Sequence, residues 1–189
     1  MDRLICVIGQ HRGGTSVACD LVAACGYSFG VQSPNDLRFS RHEHPIRKGH
    51  PQMTEEDAQV ALVTLEESGA NAVKLTTNIA PWLRNLNGIV KDLKIVAMLR
   101  SPLAISNSRS SGDSYAYAED ESSIEAVSYE QGGILTLLNR IAVPTLIIDF
   151  EQLLNDPVNH LRHLPLFLNS QVDASDLSSL IHPEIVIHG

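Results

Sequence analysis

A glycine-rich stretch near the amino terminus has the residue types of an anion-binding loop. Its sequence over residues 9–16 is Gly-Gln-His-Arg-Gly-Gly-Thr-Ser, and we call it the anion loop. Glycines let a backbone turn sharply and approach a ligand closely, and the free N–H groups and dipole at the start of a helix attract anions. We therefore predict that a phosphate or similar anion binds here, with Arg12 adding positive charge and with contacts from Gly9, Gly13, Gly14, Thr15 and Ser16.

A strand and a helix are predicted on either side of the anion loop. The continuous apolar run over residues 4–8 is typical of a strand buried on both faces. Residues 17–25 predict a helix that Thr15 and Ser16 would cap. The loop would then lie where a strand passes into a helix, an arrangement that directs helix N–H groups at an anion.

The spacing of Gly9 and Gly14, with four residues between them, is that of the phosphate loop of ATP-binding proteins. In those proteins the next residue is a lysine that grips phosphate, whereas this chain has Thr15. Mg²⁺ also needs an acid after a later strand, and the predicted strand over residues 94–99 is followed by Arg100. An anionic donor used without a metal is therefore favoured over ATP with Mg²⁺.

The composition limits the classes of partner. The chain has 189 residues, which suits one domain over residues 1–189. It has 14 basic and 22 acidic residues and a formal net charge of −8, which argues against non-specific binding to nucleic acid or to an anionic membrane surface. A site for an anion must therefore be a local positive pocket.

The cysteines and the hydropathy pattern bear on the compartment. Cys6, Cys19 and Cys25 lack the spacing of metal ligands, and we expect them to be buried thiols in a reducing compartment. The sequence shows neither a signal peptide before the first strand nor an apolar run of membrane-spanning length. The expected location is the cytoplasm.

Strands and helices are predicted to alternate along most of the chain. Further strands are expected over residues 71–75, 94–99 and 143–150, and further helices over residues 51–67, 79–86, 102–109, 124–141, 151–154, 157–168 and 173–181. Alternation of this kind predicts an α/β fold of the P-loop type, with three αβα layers and a central parallel sheet of four or five strands.

Positive side chains follow three of the predicted strands. Arg12 follows the first, Lys74 lies at the end of the second, and Arg100 follows the third. Ligands of such sheets bind beyond the carboxyl ends of the strands, where these residues would meet. Three cations at one edge favour an anionic ligand.

Four motifs of the chain resemble those of the P-loop sulfotransferases, especially the compact bacterial members. The segment over residues 7–16 resembles the family's loop for the 5′-phosphosulfate group, and Arg100-Ser101-Pro102, with Ser108, resembles its 3′-phosphate motif. Residues 72–74, Ala-Val-Lys, are similar to a short Trp-x-x-Lys segment, although the Trp is absent. Residues 148–157 are similar to the family's strand and turn with the pattern Tyr-Glu-Asp-Leu-Leu-x-Asp-Pro.

The resemblance implies transfer of a sulfuryl group from 3′-phosphoadenosine 5′-phosphosulfate to a hydroxyl or amine, with adenosine 3′,5′-bisphosphate as the other product. The acceptor would be a small molecule or a saccharide, and no metal would be needed. The anion loop would hold the 5′-phosphate while Arg12 stabilises charge on the bridging oxygen. Arg100 and Ser108 would bind the 3′-phosphate, and Lys74 would either face the sulfuryl group or only line the pocket.

The general base that activates the acceptor is expected after the first helix. Glu43 is the first choice because bacterial members have a Glu in a comparable segment, His42 and His44 are next, and Asp36 is a further candidate. Two other functions stay open. One is a sulfotransferase-like nucleotide-binding protein without turnover, and the other is a P-loop small-molecule kinase.

Overall fold

The computed structural model describes residues 1–30, 54–76, 79–111 and 120–181. In this part of the chain, four strands form one parallel sheet in the spatial order β2-β1-β3-β4. The strands are β1 Arg3–Ile8, β2 Ala72–Leu75, β3 Asp92–Leu99 and β4 Thr145–Asp149. The prediction of a parallel α/β sheet is confirmed.

The apolar run of β1 is continuous because helices cover both faces of the sheet. Ile5 and Val7 pack into the core on one face, and Leu4, Cys6 and Ile8 pack into the core on the other, all fully buried. The first core also contains side chains of α1 and of α6 to α9, and the second contains side chains of α2, α3 and α5. The predicted three layers are therefore present.

The helices follow the strands in the order expected of right-handed crossovers between parallel strands. Their bounds are α1 Thr15–Ala24, α2 Glu55–Glu67, α3 Ile79–Ile89, α4 Pro102–Ser110, α5 Ile124–Arg140, α6 Phe150–Asn155, α7 Pro157–Leu161, α8 His163–Leu168 and α9 Ala174–Ser178. None of the helices in the described ranges is long and apolar enough to cross a membrane.

Two predicted features of the helices are wrong. Thr15 and Ser16 do not cap α1, because Gly14 occupies the N-cap position with φ of 84° and the helix already begins at Thr15. The helix predicted over residues 157–168 is two helices, α7 and α8. Pro165 explains the break, because its nitrogen cannot donate to the carbonyl of Leu161 and its ring crowds that carbonyl.

The three cysteines are buried and unbridged, as expected from their apolar surroundings. Cys6 lies at the centre of β1, where burial raises the pKa of its thiol to about 12. Burial also raises the pKa of Cys19 and, less strongly, that of Cys25. These thiols therefore stay protonated at neutral pH and contribute as small apolar side chains.

Candidate functional site

The anion loop is a tight turn at the carboxyl end of β1. The Gly13 N–H donates to the Gln10 carbonyl at 3.0 Å, and Arg12 has φ of 65°, which is the left-handed region. The first helical bond of α1 runs from the Ala18 N–H to the Gly14 carbonyl at 3.2 Å. The Gly13 N–H is therefore occupied by the turn. The N–H groups of the first turn of α1, beginning at Thr15, have no acceptor within the helix.

Two glycines are required by close approaches of the anion loop to its surroundings. A Cβ on Gly9 would lie 2.6 Å from Thr15 Cγ2 and 2.7 Å from the Met98 carbonyl oxygen. A Cβ on Gly14 would lie 2.5 Å from the Phe150 ring, and the φ of 84° is also costly for any other residue. Gly9 and Gly14 therefore let the loop lie directly on β3 and on the start of α6.

Lys74 belongs to β2, and its side chain reaches the start of α1 on the β2 side of the loop. Its register partner is Val7, and its Nζ donates to Ser16 Oγ at 3.2 Å. Two residues further on, Thr76 Oγ1 lies 3.1 Å from His11 Nε2, so the turn is also attached to the end of β2. An ammonium group and an imidazole are thus placed on this side of the loop.

Arg100 lies against the other side of the loop, at the end of β3. Its Nη1 donates to the Arg12 carbonyl at 2.9 Å, and its guanidinium carbon lies 5.0 Å from the centre of the Phe150 ring. Burial lowers the pKa of Arg100, whereas the charge of Glu151, whose Oε1 is 3.7 Å from Nε, raises it. Nε is buried without a hydrogen-bond acceptor among the described residues. The partly buried cation thus has donor capacity left for an anion.

Helix α4 begins directly after Arg100, with Ser101 at the N-cap and Pro102 at the first helical position, as predicted. Ser101 makes no side-chain capping bond in the structure, and its N–H instead donates to Glu151 Oε2 at 3.0 Å. Glu151 therefore orients the turn between β3 and α4. Ser108 is half-buried near the end of α4, and its contact with a 3′-phosphate stays a prediction.

A polar network behind the loop was not predicted from the sequence. Gln10 is 5% exposed, and its Nε2 donates to the Val127 carbonyl at 2.8 Å and to Glu130 Oε2 at 3.0 Å. Arg109 Nη2 donates to the same Glu130 oxygen at 2.8 Å. The only signal in the sequence is a polar residue two positions after a buried strand. Its partners on α5 lie 117 and 120 residues further along the chain.

The carboxylate of Glu130 is held in its charged form by this network. Burial by itself raises its pKa, but hydrogen bonds from Arg109 and Gln10, together with the positive charges of Arg109 and His11, outweigh burial. The pKa of Glu130 therefore lies below its ordinary value. The Arg109 side chain, only 3% exposed, has a charged partner at neutral pH.

The candidates for the general base lie outside the described residues. These are Glu43, His42, His44 and Asp36, and each stays a prediction. Within the described ranges, no group of three or more His, Cys, Asp or Glu side chains is arranged to hold a metal ion.

Comparisons with known proteins bear on the fold. No protein-family model and no curated protein sequence matches the chain. The chain superposes on the sulfotransferase domain from the curacin biosynthetic pathway with a TM-score of 0.60 and 14% identity, covering 100% of this chain and 81% of that one. It also superposes on the sulfotransferase domain of the Synechococcus PCC 7002 olefin synthase, with a TM-score of 0.58, 17% identity, and coverage of 99% and 83%.

A sugar kinase from Janibacter sp. HTCC2649 aligns less well, with a TM-score of 0.46 and 15% identity over 88% of this chain and 98% of that one. Both sulfotransferase domains superpose on nearly the whole of this chain. The chain therefore has a sulfotransferase-type α/β fold.

Proposed function

We propose that this protein transfers a sulfuryl group from 3′-phosphoadenosine 5′-phosphosulfate to a hydroxyl or amine of a small-molecule or saccharide acceptor. The observation that supports this most is the gathering of cations around a strand-to-helix turn in a sulfotransferase-type fold. Lys74 contacts the start of α1 on one side, and Arg100 contacts the Arg12 backbone on the other.

The residues present fit a donor with two phosphate groups. The first-turn N–H groups of α1, with the Ser16 hydroxyl, would hold the 5′-phosphate at the positive end of the helix dipole. Arg100, whose Nε is buried without a hydrogen-bond acceptor among the described residues, would bind the 3′-phosphate together with Ser108. When bound, the donor supplies the sulfuryl group and a leaving group with dispersed negative charge.

The chain's own contribution to the reaction would be position and charge. Sulfuryl transfer, like phosphoryl transfer, passes through a loose in-line transition state, so fixed cations and N–H groups provide most of the stabilisation. The Arg12 guanidinium would stabilise charge on the bridging oxygen without donating a proton. Lys74, held at Ser16, would place a second cation beside the same group. No metal is part of this proposal. An ATP-binding P-loop protein has a phosphate-binding Lys at the position of Thr15, and it has an acid that helps to hold Mg²⁺ where this chain has Arg100.

A titration and a transfer assay separate this function from the two alternatives. We expect adenosine 3′,5′-bisphosphate to raise the melting temperature more than ATP with Mg²⁺, and the donor to be consumed in the presence of a broad acceptor panel. Binding of the bisphosphate without any transfer would identify a binding protein. A larger shift with ATP that depends on Mg²⁺ would favour the kinase.

Replacement of Arg12 by Ala tests the catalytic role of the loop. We expect kcat to fall roughly 10²–10³-fold, the range for removing one group that stabilises transition-state charge, with a smaller change in donor affinity. The matched control is Arg84→Ala, which removes an exposed arginine from α3. If Arg12→Ala instead lost donor affinity by a similar factor and kept its kcat, a role in the transition state would be contradicted.

A further inference from the structure

The two sides of the anion loop differ in a way that bears on where an acceptor sits. On the β3 side, the Arg12 carbonyl is held by Arg100, one of the two residues proposed for the 3′-phosphate. On the β2 side, His11 is attached to Thr76. In an in-line displacement the attacking oxygen approaches opposite the leaving group. If the nucleotide lies toward β3, the acceptor approaches from the side of β2, where His11 lies.

The other charged groups described around the loop are poorly suited to take a proton at neutral pH. Arg12, Lys74 and Arg100 are cations in their ordinary state. Two of the described carboxylates near the loop, Glu130 and Glu151, accept hydrogen bonds. Glu130 accepts from Arg109 and Gln10, and Glu151 accepts from the Ser101 N–H. Histidine, in contrast, has the one side chain that ordinarily exchanges a proton between pH 5 and 8.

We propose that His11 is the general base of the transfer reaction and takes the proton of the acceptor hydroxyl. The inference rests on the proposed sulfotransferase function. It assigns the base to the anion loop itself, in place of the region around Glu43.

The step balances without a further reactant. The neutral imidazole of His11 removes the hydroxyl proton as the acceptor oxygen forms its bond to sulfur. The bond between sulfur and the bridging oxygen breaks, and its electron pair leaves with the 5′-phosphate, next to Arg12. In the tautomer in which Nε2 donates to Thr76, Nδ1 has the lone pair that accepts the proton. The imidazolium then returns the proton to solvent.

Glu130 is the positioning residue for this base. The positive charge of His11 contributes to lowering the pKa of Glu130, so the two groups interact electrostatically. By reciprocity, the carboxylate stabilises the imidazolium that forms during the step, as the acid of a catalytic triad stabilises its histidine. Gln10 and Arg109 fix the carboxylate by hydrogen bonds of 3.0 and 2.8 Å to Oε2.

The first test compares His11→Asn with the control His163→Asn, which changes an exposed histidine at the start of α8. We expect His11→Asn to lower kcat by roughly 10²-fold or more and to remove the acid limb of the pH profile. Affinity for adenosine 3′,5′-bisphosphate should stay within about twofold of wild type, as expected for a residue acting on the acceptor. A variant that keeps its rate and pH profile would overturn the proposal.

The second test does not depend on turnover. Histidines labelled with ¹⁵N are titrated by NMR in wild type and in Glu130→Gln, and the His11 signal is identified by its absence in His11→Asn. Because the carboxylate stabilises the imidazolium, we expect the His11 midpoint to move to lower pH in Glu130→Gln. An unmoved His11 midpoint would overturn the role of Glu130.

The two proposals fail in different measurements. If the wild-type protein does not bind adenosine 3′,5′-bisphosphate, the proposed donor is wrong, and the role of His11 falls with it. If the wild-type protein binds the bisphosphate and transfers the sulfuryl group, but His11→Asn is as fast as wild type, only the base is wrong.

Discussion

The two sides of the anion loop are held by different kinds of contact. On the β3 side, the Phe150 ring, 2% exposed, packs against Gly14, and Arg100 lies over the same ring while it holds a backbone carbonyl. On the β2 side, the contacts are between polar side chains, Lys74 with Ser16 and His11 with Thr76. The first side fixes the path of the backbone, and the second presents groups that can act on a ligand.

The β3 side also stabilises a conformation that is unfavourable by itself. Arg12 has φ of 65°, which costs a residue with a side chain about 1–2 kcal/mol. The hydrogen bond from Arg100 to its carbonyl, a bond from a charged donor, is worth about 1.5–3 kcal/mol. One contact is thus large enough to hold the left-handed turn.

The largest expected effect comes from breaking the packed side with Gly14→Ala. The added Cβ meets the Phe150 ring at 2.5 Å and also forces a left-handed alanine. Together, overpacking and backbone strain should lower the free energy of unfolding by about 2–5 kcal/mol. Urea unfolding followed by circular dichroism measures this change.

Gly69→Ala is the matched control for Gly14→Ala. Gly69 has a similar φ of 71°, but a Cβ there would have no neighbour within 4 Å among the described residues. Only the backbone cost of about 1–2 kcal/mol should appear. Equal losses for the two variants would mean that the contact with Phe150 does not constrain the loop.

Arg100→Ala should have the next largest effect, this time on binding. We expect the affinity for adenosine 3′,5′-bisphosphate to fall by about 1.5–3 kcal/mol, the range for a lost hydrogen bond to a charged group, as measured by calorimetric titration. Arg84→Ala on α3 serves as the control, because it removes an exposed arginine of equal charge.

Titration with adenosine 5′-monophosphate distinguishes two roles of Arg100. If Arg100 contacts the 3′-phosphate, Arg100→Ala weakens binding of the bisphosphate and leaves binding of the monophosphate nearly unchanged. If it acts only through the Arg12 carbonyl, both nucleotides lose affinity equally. Equal losses would remove Arg100 from the 3′-phosphate site.

Much of the fold could be predicted because the period of the apolar residues reports burial directly. The run in β1 is apolar at every position since both faces are covered, and the alternation of strands and helices then leaves few topologies. The break between α7 and α8 was missed because the apolar pattern continues through it. Pro165 ends the hydrogen-bond ladder without changing that pattern.

The candidate site was predictable only where its residues adjoin strand ends. Arg12 follows β1, Lys74 lies near the end of β2 and Arg100 follows β3, so sheet topology alone brings them to one edge. The network of Gln10, Glu130 and Arg109 joins Gln10 to Glu130, 120 positions away, through side-chain directions that no local pattern encodes. The position of His11 was likewise not predictable, because its contact with Thr76 depends on the turn at Arg12.

The smallest expected effect comes from the polar network behind the loop, with Glu130→Gln. The amide cannot pair with the charge of Arg109, but the carboxylate is 47% exposed, so solvent screening limits the loss to about 1 kcal/mol of the free energy of unfolding at pH 7. Because the pKa of Glu130 is lowered in the folded protein, its contribution is complete above the ordinary carboxyl pKa of about 4.3. It is lost as the pH falls through the lowered value.

The difference in stability between wild type and Glu130→Gln should therefore be constant from pH 7 to about pH 5 and narrow at lower pH. Urea unfolding at a series of pH values measures it, with Glu67→Gln, which changes an exposed carboxylate at the end of α2, as the control. A difference that widens on acidification would mean that burial outweighs the bonds from Arg109 and Gln10. The network behind the loop would then be held by packing, as the β3 side is.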